Sequence, residues 1–491
     1  MNREKIILFV CLILFLINSP IQAVQILESK VISKQATDCD MHLTKIIFND
    51  SNDVLITMNQ LLYANNNLIR VQKLWDYENG DVKGEADYCC YFLGGFVKDN
   101  KFYVAFDDVH YINIFSINKN ASFNGKKLEV ISQIKPISVF CPDYTTLIYS
   151  PDYNGSCYLL GHPLFPPANP IGFVKSMMDA YAQKRYVYYY KPRLAEIKNG
   201  KMVRTIDFDY GCKIDESYVV NEVAEGKDSI HFFGYRNIDG PYVEFDMDWF
   251  KLAEPYFFGY DKKKRNFDDR SPNEKEGFPQ AVILYYADYN LNKGKNVRKC
   301  KIYEDAPGYN EKTDTYFDYG VLSADSQDDN VYAVFSWVKW QRPHAGATMV
   351  YNGRRLEHRE NFSLNDVNSS IYYWQCNGKS YGKAEKIAEG FCPIIKVDQF
   401  GSVHIFWVDR SGNIIQKIRK DNKWSDEEIV LKDFSTKPAI MNTKRCSIRD
   451  YDRPEAILYT KFVAAEFDNE NNLHIVYPTA EGIVYTKLKL E

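Results

Sequence analysis

The chain has 491 residues, 45% hydrophobic and 15% aromatic, with 61 Lys and Arg against 65 Asp and Glu for a formal net charge of −4. So mild an acidic balance, spread over the whole length, argues against a nucleic-acid or anionic-membrane partner, each of which needs a concentrated basic surface. The one basic run, Lys262-Lys263-Lys264-Arg265, is flanked by Asp261, Asp268 and Asp269 and reads as a solvated loop.

In chain order, Arg3 and Lys5 precede an apolar run from Ile6 to Ile17, followed by a polar break and Ile21-Gln22-Ala23. The run is too short to span a bilayer, which takes about 20 residues. Residues 1–23 are therefore expected to be a cleavable signal peptide and 24–491 a single secreted domain with no stable membrane insertion. Without that leader the net charge is near −5 and ten cysteines remain: Cys39, Cys89, Cys90, Cys141, Cys157, Cys212, Cys300, Cys376, Cys392 and Cys446. An even count in an oxidising compartment fits up to five disulfides, no spacing resembles a zinc site, and no pairing can be read. Adjacent Cys89 and Cys90 are expected to bond different partners, because a bridge between neighbours strains the peptide joining them. Sequons at Asn49, Asn120, Asn154, Asn361 and Asn368 are candidate glycan acceptors.

Short β-branched and aromatic runs closed by Asn, Asp or Gly recur along the rest: from Asp53, Lys101, Thr146, Arg185, Ser229, Ala281, Asn330, Ser402 and Asn472. Val174 to Tyr186 is the one segment that reads as a short helix. Charged stretches near 252–278 and 338–368 read as insertions. Residues 398–418 and 468–488 align without a gap at an offset of 70, with identity at Asp398/Asp468, His404/His474, Ile405/Ile475, Gly412/Gly482 and Lys417/Lys487. Both copies read as turn, strand, turn, strand, as does one blade of a β-propeller. The fold expected is all-β, a propeller of about seven blades, with six to eight open. The segment from Leu43 to Met58 is expected to complete the last blade.

The pattern D-x-x-G-x-x-H-x-x-W at Asp398, Gly401, His404 and Trp407, echoed at Asp468, Asn471, His474 and Tyr477, resembles repeats of secreted propellers of the sialidase-like (bacterial neuraminidase repeat) group and of propeller lectins. The resemblance implies architecture. The spacing departs from that group's Asp-box, its [FY]-R-I-P signature is missing, and no sialidase arginine triad or nucleophile pair maps onto this chain.

His404 and His474 are expected to be buried and hydrogen-bonded to backbone, with Trp407 and Tyr477 on the opposite strand face. Asp398, Asp468, Gly412 and Gly482 read as turn residues. Among carboxylate pairs that could serve glycoside hydrolysis, Asp107-Asp108, Asp328-Asp329 and Asp450 with Asp452 stand out, as does His110 beside Asp108. Each has a plainer reading as a solvated turn. No cofactor or metal is expected, and no nucleotide, hydrolase-elbow or metalloprotease motif occurs. The expected task is binding of a glycan or an extracellular protein partner. The rival is a glycan-processing hydrolase or lyase with carboxylates at a channel mouth, and such carboxylates, as opposed to bare aromatic shelves, would decide for the enzyme.

Overall fold

The structure is a computed structural model that describes residues 24–33, 44–58, 61–64, 67–70, 91–107, 112–117, 130–134, 139–140, 146–149, 157–161, 163–165, 193–198, 201–207, 216–238, 281–305, 309–310, 315–341, 348–351, 354–357, 367–378, 380–432, 434, 461 and 463–490. Every regular element among these residues is a β-strand.

Seven antiparallel sheets of four or five strands follow one another along the described residues, besides two-stranded pairings of Val139–Phe140 with Pro163–Phe165 and of Thr348–Tyr351 with Arg354–Glu357. The first is Lys45–Phe48, Val54–Met58, Leu61–Ala64 and Asn67–Arg70; the second is Tyr91–Lys98, Lys101–Asp107, Ile112–Ile117 and Val130–Ile134. The third joins Thr146–Tyr149, Cys157–Gly161, Arg193–Lys198 and Lys201–Asp207, and the fourth Glu216–Glu225, Ser229–Ile238, Ala281–Asn290 and Lys295–Asp305. The fifth has the short Tyr309–Asn310, then Thr315–Gln327, Asn330–Gln341, Val367–Cys376 and Glu385–Glu389. The sixth has Phe391–Val397, Val403–Val408 and Ile414–Lys420, with both Lys423–Trp424 and Glu428–Leu431 on its outer edge. The seventh has Ala464–Phe467, Asn472–Thr479 and Gly482–Lys489, and its fourth strand comes from the other end of the chain, Gln25–Ser33.

That last pairing corrects the expectation for Leu43 to Met58. Those residues build the first hairpin of a sheet of their own, where Leu55 and Ile56 are buried. The strand that completes the seventh sheet is the charged and mostly exposed QILESKVIS, suited to an outer edge, where charge discourages further pairing. The second inserted stretch is also shorter than the sequence implied. Val338 to Gln341 extends one strand and Val367 starts the next, leaving between them a hairpin of Thr348–Tyr351 and Arg354–Glu357. The first inserted stretch, the helix expected over 174–186, the strand from Arg185 and residues 1–23 lie outside the described residues.

The sheets stack face to face through apolar strands. Val403–Val408, VHIFWV, is buried along its whole length, as a strand covered on both faces must be. Its Val403, Ile405 and Trp407 pack with Val334, Ile371 and Tyr373 of the fifth sheet, while Phe406 and Val408 join a cluster reaching Leu473 and Ile475 of the seventh sheet and Ile46 and Ile56 of the first. Between the fourth and fifth sheets, Phe233, Leu284 and Tyr286 meet Phe335 and Trp374. Each such side chain contributes about 1.5–3 kcal/mol when fully buried, so these seams are what hold sheet to sheet.

Inner strands of consecutive sheets lie side by side: first with second, second with third, fourth with fifth, fifth with sixth, sixth with seventh, and seventh with first. The turns that follow them are tied together at one end of the molecule. Ser326 Oγ donates to the Glu225 carbonyl (2.5 Å), Gln327 Nε2 to the Asp398 carbonyl (3.2 Å), and the Gln399 amide to Asn471 Oδ1 (3.3 Å). Asn469 Nδ2 donates to the Asn49 carbonyl (3.2 Å) and the Asp50 amide to Asn100 Oδ1 (3.1 Å).

Candidate functional site

The repeat residues build a buried polar triad twice over. In the sixth sheet His404 Nε2 lies 3.3 Å from Asp398 Oδ2 and its Nδ1 lies 2.7 Å from Gln416 Nε2; in the seventh, His474 Nε2 lies 3.1 Å from Asp468 Oδ2 and its Nδ1 2.7 Å from the Tyr485 hydroxyl. Both imidazoles are buried, but their partners are side chains, which corrects the expected backbone bonding. Asp398 Oδ1 also accepts from the Phe400 and Ser402 amides, and Asp468 Oδ1 from those of Glu470 and Asn472, the Asx geometry that closes each turn. Gly401 and Gly412 sit at φ of 81° and 79°, where a Cβ is unfavourable. Gly412 lies in the turn before Ile414–Lys420 and Gly482 opens the equivalent strand of the seventh sheet. Trp407 and Tyr477 pack into the apolar seams.

The fourth sheet holds a third histidine of this kind. His231 occupies the third position of the second strand in the fourth sheet, as His474 does in the seventh, while His404 is second in the sixth, and His231 Nδ1 lies 3.0 Å from the hydroxyl of Tyr286 on the third strand. Here the turn is one residue shorter. The Gly226 amide donates to the Ser229 carbonyl (2.8 Å) just as the Asp398 amide does to that of Ser402 (3.0 Å), so Gly226 stands where the other sheets have aspartate. A Cβ on Gly226 would lie 2.5 Å from His231 Nε2, and that nitrogen, buried, has no hydrogen-bond partner among the described residues. Burial, reinforced by nearby Arg298, pushes the His231 pKa down to about 3. Since the unfolded chain takes up that proton near pH 6.5, folding stability is expected to fall as pH drops from about 6.5 toward 3. Melting temperature measured against pH should decline across that window, and less steeply in His231→Gln.

The shortened turn leaves Glu225, six residues before His231 as Asp398 is before His404, without that structural role. Its carboxylate instead joins a set of charges on the inner strands and their approaches: Lys45 of the first sheet, Glu222 of the fourth, Asp325 of the fifth, Lys396 of the sixth and Glu466 of the seventh, with Lys461 just before that last strand. Lys396 Nζ bonds Glu466 Oε2 at 2.6 Å and Lys461 pairs with Glu222. Asp325 Oδ2 accepts the Val397 amide at 2.8 Å and its Oδ1 the Ser326 amide at 2.9 Å. Residues from five sheets thus come within electrostatic range of one another.

Glu225 is solvent-exposed at the end of its strand, with protein atoms packed around it. That desolvation lifts its pKa from 4.5 to about 7, against the pull of Lys45 and Lys396 and helped by the repulsion of Glu466 and Asp325. Burial likewise raises Asp325. Burial opposes the charge on Lys396, but the attraction of Glu466 and Asp325 outweighs it and holds the ammonium above its ordinary range. One carboxyl thus titrates near neutrality within electrostatic range of another held in an ion pair, an arrangement that acid/base chemistry can use.

Of the carboxylates singled out from the sequence, Asp328 and Asp329 lie outside this set. Asp328 and Asp329 are the exposed turn between Thr315–Gln327 and Asn330–Gln341, and Asp328 has a φ of 55°. Asp107 ends a strand, and Asp108, His110, Asp450 and Asp452 lie outside the described residues. So do Cys39, Cys89, Cys90, Cys141, Cys212, Cys446, Asn120, Asn154 and Asn361. Cys157 opens a strand of the third sheet, Cys300 and Cys376 are free thiols, and Cys392 is buried. Asn368 is exposed, but Asn49 is buried and its amide donates to Asp53 Oδ2 at 2.9 Å, which leaves no space for a glycan and corrects that acceptor. Among the described residues no group of three His, Cys, Asp or Glu is placed to hold a metal, and no helix is long and apolar enough to cross a membrane.

No family model matches the chain, and no curated protein matches it. Among solved structures it is similar to an α-L-arabinofuranosidase from Fusarium graminearum, a mutant in complex with an iminosugar inhibitor (8% identity, TM-score 0.38, covering 80% of this chain and 90% of that one). It is similar also to a protein of unknown function from Dyadobacter fermentans (9% identity, TM-score 0.42, covering 96% and 100%) and to a polysaccharide lyase described as a family PL25 ulvan lyase (10% identity, TM-score 0.39, covering 81% and 79%). None of the three is described as a sialidase. At these identities and TM-scores the chemistry of this chain rests on its own residues.

Proposed function

We propose that this chain is a seven-bladed β-propeller that cleaves a glycan at the end of its central channel, with Glu225 as proton donor and Glu466 as the second carboxylate. The seven meander sheets are the blades in this reading, and the ring is closed by Gln25–Ser33 pairing with the C-terminal hairpin. The observation that carries it is a carboxyl lifted to about pH 7 within electrostatic range of Asp325, Lys396 and Glu466. Glycosidic cleavage needs a proton delivered to the leaving oxygen and a second carboxylate to activate water or take up the sugar carbon, and an acid that is half-protonated near neutrality suits the first task. Glu466, ion-paired with Lys396, is assigned the second. Catalysis is favoured over simple binding because the large aromatics fill the seams: Trp374 and Trp407 are fully buried, and the exposed large aromatic side chains among the described residues are Phe400 and Tyr381, not a repeated shelf.

Polysaccharide panels, neutral and uronate-containing, test the proposal. A hydrolase releases reducing ends alone; a lyase releases products whose unsaturated uronate absorbs in the ultraviolet. Reducing ends without that absorbance are the expected outcome. Glycan binding with no product from any panel member would sink the catalytic reading.

The same proposal has residues 1–23 removed and the protein working outside the cell. N-terminal sequencing of secreted material should begin at Val24, and recovery only from membranes with the leader intact would contradict it.

A further inference from the structure

We infer that Cys300 and Cys376 form a disulfide that staples the fourth sheet to the fifth in an oxidising medium. Cys300 lies on Lys295–Asp305, the last strand of the fourth sheet, and Cys376 closes Val367–Cys376 in the fifth, so a bond between them would cross a seam otherwise held by packing. Both belong to one apolar cluster, Cys376 within it and Cys300 against it. Strand alternation places Arg298 and Cys300 on the same face, two residues apart, and from that face Arg298 Nη1 reaches Cys376 Sγ at 3.6 Å. Tyr286, the cross-strand partner of Cys300, packs tilted against Trp374 of the fifth sheet, ring centroids 5.2 Å apart, and bonds its hydroxyl to His231. The two thiols also lie within electrostatic range of each other, and Tyr381, the bridge partner of Cys376, is within range of both.

The bond needs an oxidant, and a disulfide such as oxidised glutathione supplies it. One cysteine thiolate attacks the oxidant's sulfur and releases one glutathione thiolate, leaving a mixed disulfide. The second cysteine thiolate then attacks the protein sulfur of that mixed disulfide, forming the 300–376 bond and releasing the second glutathione. Two thiols are oxidised, one disulfide is reduced, and two protons leave the protein. Burial holds both thiols above their ordinary pKa, Cys300 at about 12, which slows the exchange; Arg298, paired with Asp288 at 2.6 Å, offsets this in part at Cys376.

The test is peptide mapping of the full chain, expressed with its leader in an oxidising compartment, alkylated without reduction while denatured, then digested. A linked peptide pair containing Cys300 and Cys376, lost on prior reduction, is expected. In Cys300→Ser, Cys376 should become alkylated, and in Cys376→Ser, Cys300. Alkylation of both in the unreduced parent chain, or linkage of either to another cysteine, would overturn the pairing. The readout on the parent chain stands even where a variant folds poorly.

Discussion

Glu225→Gln is expected to lower turnover of any glycan the protein cleaves by about 10²- to 10⁴-fold, the usual contribution of a positioned proton donor. The substitution keeps the shape of the side chain and removes the proton, so binding of the same glycan should persist. The pH profile carries a second signature. With a pKa of about 7, Glu225 loses its proton as pH rises past neutrality, so activity in the parent chain should fall on the alkaline side, and that limb should vanish in the variant. Stability should move the other way. A carboxyl whose folded pKa is raised from 4.5 to about 7 binds more protons folded than unfolded across that interval, so its ionisation destabilises the fold as pH climbs. The melting temperature of Glu225→Gln at pH 7 and above should therefore equal or exceed that of the parent chain, the behaviour of a site that gives up stability for chemistry. Unchanged turnover with an unchanged alkaline limb would remove Glu225 from the proposed mechanism.

Much of the scaffold was legible because it is written in local pattern. Runs such as NLHIVY and SVHIFW alternate β-branched and aromatic residues between Asp, Asn and Gly turns, and each described run falls on a strand. The strand that completes the seventh sheet was not legible, since QILESKVIS carries charge and little apolar signal, and its pairing partner lies more than 400 residues away. The candidate site was missed for a related reason. Conspicuous adjacent acids such as Asp328-Asp329 mark solvated turns, whereas the converging groups are single charges inside apolar strands: Lys396 in FCPIIKV and Glu466 in AAEF, which stand at the same 70-residue offset as the visible repeat. That offset was a usable signal. The sequence also misleads at Glu225, whose spacing to His231 equals that of Asp398 to His404, while the turn in between is a residue shorter and puts Gly226 beside the imidazole. Only the pairing register separates a structural aspartate from a freed glutamate.

Asp468→Ala is expected to destabilise the protein by about 3–5 kcal/mol, the range for removing one partner of a buried charged pair. Asp468 is fully buried and serves several groups at once: Oδ2 lies 2.8 Å from Lys487 Nζ and 3.1 Å from His474 Nε2, while Oδ1 accepts the Glu470 and Asn472 amides that close the turn. Burial alone would raise its pKa; the bonds from Lys487, Asn472 and His474 overcome this and hold it well below the usual carboxylate range. Its folded pKa being depressed, the stability it supplies is present above the unfolded value of 3.8 and lost as pH falls below it. Truncation leaves the Lys487 ammonium and His474 Nε2 stranded and two turn amides unpaired, which costs more than the bonds themselves were worth in net terms. The effect should reach beyond one sheet, because Phe48 of the first sheet packs edge-on against the His474 ring at 4.4 Å and Asn469 of the same turn bonds the Asn49 carbonyl. Denaturant unfolding should show a lowered midpoint, and Asp468→Asn, which keeps the acceptor oxygen for the turn amides but loses the charge, should fall between the parent chain and Asp468→Ala. A change below about 1 kcal/mol in Asp468→Ala would mean that the seventh sheet is held by its apolar seam and its pairing with Gln25–Ser33, and that the triad is dispensable.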